Sequence, residues 1–279
     1  MSSERETFDN LSFLQKLRSL TLLQQNMLTR ALYLASHGEI EHEGMKITCT
    51  LPEKKRKVST MLAMTAGQSL NTVLEFAGKE GISVRDCYPI ARSVVESFIN
   101  CSFIVSSPEE VADRAIRHMQ FGAWRLSNRK FGAGPYEIDI STSYNKAKEL
   151  KERFPEFTKD KSWTSLSVPD RIHIVGTLNS NKAAARLTAA YGLIYYLSSE
   201  VIHGSLFGAS YFYTGYLNEK QSTEEFVEGT KRQIEEMLVA LLHAGCGFLA
   251  AFYAAQNIEA LAEDEQKLFD LLFETTTNV

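Results

Sequence analysis

The fold this sequence predicts is an all-α bundle, and three observations predict it. There are only 6 prolines in 279 residues. Apolar residues recur at three- to four-residue spacing through long stretches, which is the period of an amphipathic helix. Helix stops and starts punctuate those stretches, notably Gly38, Ser107-Pro108-Glu109-Glu110 and Gly204. An apolar fraction of 44% and a charged fraction of 23% are those of a globular protein. No repeat, low-complexity tract or clear linker divides the chain, so residues 1–279 are expected to form one helical domain.

The first helix is expected within residues 8–37, on Leu11, Leu14, Leu17 and Leu20 with Gly38 as its stop. Residues 39–50 break the pattern. Glu39-Ile40-Glu41-His42-Glu43 alternates, Gly44 turns and Lys46-Ile47-Thr48 continues, which reads as a small β-hairpin. His37, His42 and the three glutamates read either as metal ligands or as an exposed acidic turn, and the turn is preferred. The basic run Lys54-Lys55-Arg56-Lys57 opens a second helix, expected from Pro52 to Gly78 as a solvated first turn. A third runs from Ser83 or Tyr88 to Ser106. A fourth starts at Pro108 and is expected to continue to Phe131.

Gly132-Ala133-Gly134-Pro135 is a breaker. A charged helix is expected over 141–153. Residues 155–180 read as an irregular loop anchored by Trp163. A helix over 181–203 follows, then a Gly- and aromatic-rich segment over 204–217, a long helix over 223–256 and a last one over 258–274. Met237–Ala255 is about long enough to span a bilayer. With His243, Gly245 and Gly247 inside it and dense charge on one flank, it reads better as a buried core helix.

Net charge is −4, so nothing drives the whole chain toward nucleic acid or an acidic membrane. The four cysteines, Cys49, Cys87, Cys101 and Cys246, are scattered, without a Cys-x-x-Cys pair. That pattern fits reduced thiols rather than a zinc ribbon or a disulfide framework. The start of the chain is polar and acidic, without an apolar signal core. The expectation is a cytoplasmic protein that carries no metal or cofactor and does not enter a membrane.

Two polar faces on apolar helices are the candidate chemistry. Tyr195, Ser199 and His203 fall at i, i+4 and i+8 at the end of one helix, with Glu200 three residues before His203. Arg92, Glu96 and Asn100 fall four apart on another. Buried polar groups cost free energy unless paired, so these mark either a hydrogen-bond network or a site. A third feature is the basic fourth helix, with Arg114, Arg117, His118, Arg125, Arg129 and Lys130 around Phe121 and Trp124. A nucleic-acid strip combines cations and stacking faces in this way, but an ordinary half-exposed helix does so too and is the preferred reading. The phosphate loop, the dinucleotide fingerprint, the nucleophile elbow and His-Glu-x-x-His are all missing. Glu200-x-x-His203 is a single copy where a di-iron bundle needs two.

The segments Ala91-Arg92-Ser93-Val94-Val95-Glu96-Ser97-Phe98-Ile99-Asn100 and Tyr195-Tyr196-Leu197-Ser198-Ser199-Glu200-Val201-Ile202-His203-Gly204-Ser205 resemble a bacterial family filed as a domain of unknown function and grouped with HEPN-like helical proteins. The similarity covers roughly residues 60–255. It rests on an Arg-x-x-x-Glu helix and a Ser-x-x-x-His-Gly helix end, matched by Arg92, Glu96, Ser199, His203 and Gly204. The resemblance implies a helical bundle, a homodimer and metal-independent RNA cleavage in phage defence or a toxin-type stress response, with a further partner encoded in the same operon. The chain departs from the Arg-x6-His pattern of those nucleases, since Tyr196 stands where the Arg would be. Arg30-x6-His37 lies outside the resemblance and is read as chance spacing.

Two functions follow. As a ribonuclease, His203 would act as acid or base near neutrality. Arg92 would hold the phosphate, Glu96 or Glu200 would orient them, Ser199 would complete the site, and Arg114, Arg117, Trp124, Arg125 and Arg129 would guide RNA. As a non-catalytic partner-binding or sensor subunit, the same Arg, Glu, Ser and His residues would form a structural network between two helices.

Overall fold

The computed structural model describes residues 8–79, 84–217 and 223–277, without the side chains of 212–217. The polar N-terminus, the stretch that includes Ser83, and the rings of Phe212, Tyr213 and Tyr216 lie outside the described residues. The chain divides into two compact units, residues 1–107 with 168–279, and Pro108–Ser167.

The first unit is an all-α bundle with one small hairpin, as the periodicity predicts. Helix α1 spans Phe13–His37 and opens with a capping box, in which the Ser12 hydroxyl accepts from the Gln15 N–H and the Gln15 side chain accepts from the Ser12 N–H. Gly38 closes it in the left-handed region at φ 85°. Strands β1 (Glu39–His42) and β2 (Met45–Thr48) pair antiparallel across the turn at Glu43-Gly44. Helices α2 (Glu53–Ala77) and α3 (Cys87–Ser106) follow, within a few residues of their expected bounds.

After the second unit the bundle resumes with α6 (Val168–Leu178), α7 (Asn181–Ile202), α8 (Leu206–Leu217), α9 (Thr223–Ala254) and α10 (Glu259–Thr277). Helix α6 corrects the expectation of a loop through residue 180. Its short apolar set, Ile172 and Val175, docks on α3 and α7, and that contact rather than its own periodicity makes it a helix.

Helix α9 is the axis of this unit and packs on α1, α3, α7 and α10. It is the one described helix long and apolar enough to cross a membrane, yet 83% of its apolar window is buried within the protein. That burial accords with a core helix. Phe248 of α9 stacks on Phe98 of α3 with centroids 5.6 Å apart. Burying side chains of this size contributes about 1.5–3 kcal/mol each.

The second unit begins with α4, Glu109–Leu126. The helix stops five residues short of Phe131. Asn128–Phe131 is instead strand β3, paired antiparallel with β4 (Ile138–Ser141) across the Gly-rich breaker. Gly132 sits at φ 101°, where a Cβ would meet the Tyr136 carbonyl oxygen at 1.9 Å, so only glycine makes this turn. Helix α5 (Lys146–Arg153) follows, capped by Asn145. The core of the unit is a ring cluster of Phe121, Phe154 and Phe157, with Trp124 and Leu150 against it. Phe154 and Phe157 tie the chain after α5 into this cluster, and Trp163, the expected anchor of the following loop, is half-buried with its carbonyl accepting from Arg114 Nε at 2.9 Å.

Candidate functional site

Helices α3 and α7 lie side by side and antiparallel. Arg85 reaches the Val201 carbonyl, Arg92 meets Tyr195, and Ser106 accepts from Asn179 just before α7. The Arg-Glu-Asn face of α3 therefore points at the tyrosine face of α7. Arg92 Nε donates to Glu96 Oε1 at 2.8 Å, an i, i+4 pair. The Arg92 guanidinium lies over the Tyr195 ring, 4.1 Å from its centroid. Tyr195 in turn packs on Tyr191, with centroids 4.4 Å apart.

Arg171 enters the same cluster from α6, donating from Nη1 to Asn100 Oδ1. Burial lowers its pKa, opposed by the neighbouring Glu96, Tyr191 and Tyr195. Burial and the adjacent Tyr195 raise the pKa of Tyr191. The result is two guanidiniums, one carboxylate, one amide and two phenols in a half-buried seam of three helices. The side chains of Arg92 and Glu96 are 18% and 34% exposed, so this is neither a plain surface pair nor a sealed one. Such a seam ties α3, α6 and α7 together and carries one excess positive charge among these groups.

The other half of the predicted site is elsewhere. His203 caps α7 and is solvent-exposed, with Gly204 turning the chain at φ 62°. Eight residues separate it from Tyr195, about 12 Å along the axis at ~1.5 Å per residue. Glu200 accepts from the Ser205 hydroxyl, which also accepts from the Gly208 N–H at 3.0 Å and so caps α8. Ser199 is half-exposed, and the fully buried serine is its neighbour Ser198, which donates to the Tyr195 carbonyl. Within one chain the fold thus brings together Arg92, Glu96 and Tyr195, and separates them from His203 and Glu200.

The predicted RNA strip is placed mainly inside its own unit. Arg114 donates to the carbonyls of Trp163 and Ser162, and Arg117 to Glu156 and the Arg153 carbonyl. Their guanidiniums lie over Phe157 and Phe154 at 5.0 and 5.2 Å. Trp124 packs in the ring cluster. Arg125 and Arg129 lie over Phe121 and Phe131 instead of beside carboxylates.

A family model matches residues 59–236, a span that holds both polar faces and the whole second unit. The chain belongs to DUF5677, a family of unknown function. No curated protein and no solved structure matches it. The DUF5677 span ends within α9 and omits α1, the first hairpin and α10; α1 and α10 contribute to a polar cluster that sequence reasoning missed.

In that cluster Arg186 of α7 and Glu265 of α10 form an ion pair inside the bundle, at 3% and 0% exposure. Arg186 also lies over the Phe269 ring at 3.8 Å. Gln24 of α1 donates to Cys246 Sγ at 3.2 Å and to the Leu242 carbonyl. Burial and the nearby Arg186 lower the pKa of His243. A signal was present in the sequence. Arg186 stands in register with Ala183 and Ala190, and Glu265 with Leu261, Leu268 and Leu272, each a charge on a core stripe. Among the described residues no three His, Cys, Asp or Glu side chains converge as metal ligands.

Proposed function

We propose that this DUF5677 chain is a HEPN-like, non-catalytic helical module that binds a partner or senses a signal, with Arg92, Glu96 and Tyr195 as a network joining α3 to α7. One observation carries this reading. The groups offered to His203 are already engaged, Arg92 by Glu96 and Tyr195, and Glu200 by the cap of α8. The end of α7 supports a docking role. Tyr196, Ile202, Leu206 and Phe207 are large and exposed along the end of α7 and the start of α8, and Tyr196 meets Phe207 edge-on with centroids 6.1 Å apart; contiguous apolar surface belongs to interaction sites. A second copy of the chain or a protein from the same operon is the partner we favour.

The test is RNA integrity after the wild-type chain, His203→Ala and Arg92→Ala are expressed to equal levels. Intact RNA in all three is expected. Fragmentation and growth arrest with the wild type alone would overturn the reading.

A second reading, endoribonuclease action in phage defence or a toxin-type stress response, is favoured by one contact. Arg85 Nη2 lies 3.4 Å from the Val201 carbonyl, two residues before His203. It brings a guanidinium, itself paired with Asp86, to the last turn of α7 that ends at the exposed His203, and a cation and a proton carrier are what RNA cleavage uses. On this reading Arg85→Ala abolishes fragmentation as completely as His203→Ala.

A further inference from the structure

We propose that the β3–β4 hairpin of the Pro108–Ser167 unit, with the start of α5, is a stacking platform for single-stranded nucleic acid. The surface is unusual on three counts. First, it exposes large apolar and aromatic side chains that do little packing. Tyr136 is 84% exposed, Tyr144 is fully exposed, and Phe131, Ile138 and Ile140 are exposed as well. A two-stranded hairpin needs apolar residues only where they cover a core, and every residue of β4 faces solvent.

Second, the unit is cationic within an acidic protein. Residues 108–167 hold 11 Lys and Arg against 9 Asp and Glu, whereas the rest of the chain holds 19 against 25. Two cations here are neutralised, Lys130 of β3 by Glu137 at 2.6 Å and Lys146 at the start of α5 by Asp139 at 2.9 Å. Arg125, Arg129 and Lys151 take no carboxylate partner among the described residues.

Third, charge and ring are combined at one place. The Arg129 guanidinium lies 5.4 Å from the Phe131 ring centroid, so a base stacked there would have a cation within reach of its phosphate. An acidic peptide would use the cations and leave the tyrosines bare. A purely apolar partner would use the rings and bury the cations. A single strand uses both, because each nucleotide offers a π-face and a phosphate. The platform shares no residue with the α3–α7 seam or the end of α7.

The experiment is fluorescence anisotropy of the full chain with a labelled oligouridylate, the matching oligothymidylate and a duplex, each at low and moderate salt. Saturable binding to single strands, weaker binding to duplex and a fall in affinity with salt are expected. Tyr136→Ala and Tyr144→Ala are each expected to weaken binding about tenfold. Arg129→Glu is expected to weaken it and flatten the salt slope. All three side chains face solvent, so the fold is kept, as a matching circular-dichroism melt would show. Binding of the oligouridylate alone assigns RNA, and binding of both strands assigns a backbone that is not read for its sugar. No binding, equal binding to duplex, or affinity unchanged by the two tyrosine changes would overturn the proposal.

Discussion

Arg186 and Glu265 meet inside the bundle, each almost wholly removed from solvent, and lock α7 to α10. The pair is not fully satisfied. Arg186 Nε and Glu265 Oε2 are buried without a hydrogen bond, and Lys182 approaches Glu265 only to 3.8 Å. Removing one partner strands the other charge. Arg186→Ala is expected to cost about 3–5 kcal/mol in urea denaturation. The double change Arg186→Met with Glu265→Leu is expected to recover most of that loss, because an apolar pair of similar volume leaves no charge to desolvate.

The same pair sets a pH dependence. Burial raises the Glu265 pKa above its ordinary carboxylate value, and Arg186 only partly opposes the rise. Between the unfolded and folded values the native state holds more protons than the unfolded state. The contribution of this group is therefore greatest in acid and is lost as pH rises through its folded pKa. Comparing urea melts of the wild type and Glu265→Gln across that range is expected to show the wild type losing ground to the variant as pH increases.

Arg92 offers a separable pair of contacts. Its bond to Glu96 is partly exposed and contributes about 0.3–0.5 kcal/mol, while its stacking on Tyr195 contributes about 0.5–2 kcal/mol. A double-mutant cycle of Arg92→Ala with Tyr195→Leu is expected to show the larger coupling, and one of Arg92→Ala with Glu96→Ala the smaller. The reverse order would mean that the ring contact is incidental.

His203→Ala is expected to change stability by no more than about 0.5 kcal/mol, because the side chain is exposed at the end of α7. A thermal melt checks it. A loss of several kcal/mol would place His203 in the folding network and not on a docking face.

Helix α9 approaches its neighbours closely through glycine. A Cβ at position 245 would lie 2.4 Å from the Gln24 side chain, and one at 247 would lie 2.7 Å from Leu187. Gly245→Ala and Gly247→Ala are each expected to cost about 1–3 kcal/mol by overpacking, measured by chemical denaturation.

The helices were legible because periodicity and caps are local. Gly38, Ser107-Pro108 and Gly204 mark boundaries that the fold keeps, and the alternation at Glu39–His42 foretells its hairpin. Strand β3 was not legible. Asn128–Phe131 continues the basic, aromatic pattern of α4, and only its pairing with Ile138–Ser141 turns it into a strand. Helix α6 was hidden for the same reason, its few apolar residues gaining a helix only by docking.

By itself the sequence determined an all-α bundle, the positions of its two polar helix faces and the core character of α9, since each follows from the order of residues along one helix. Which polar groups meet was decided by the tertiary structure alone. Arg92 faces Tyr195 and Arg171 reaches Asn100 because α3 and α7 run antiparallel with α6 against them, and Arg186 finds Glu265 across 79 residues of chain. The physical reason is one of range. A helix repeats its faces every 3.6 residues, so a face can be read from a dozen letters. The partner of a face is chosen by how several such helices bury their apolar stripes together.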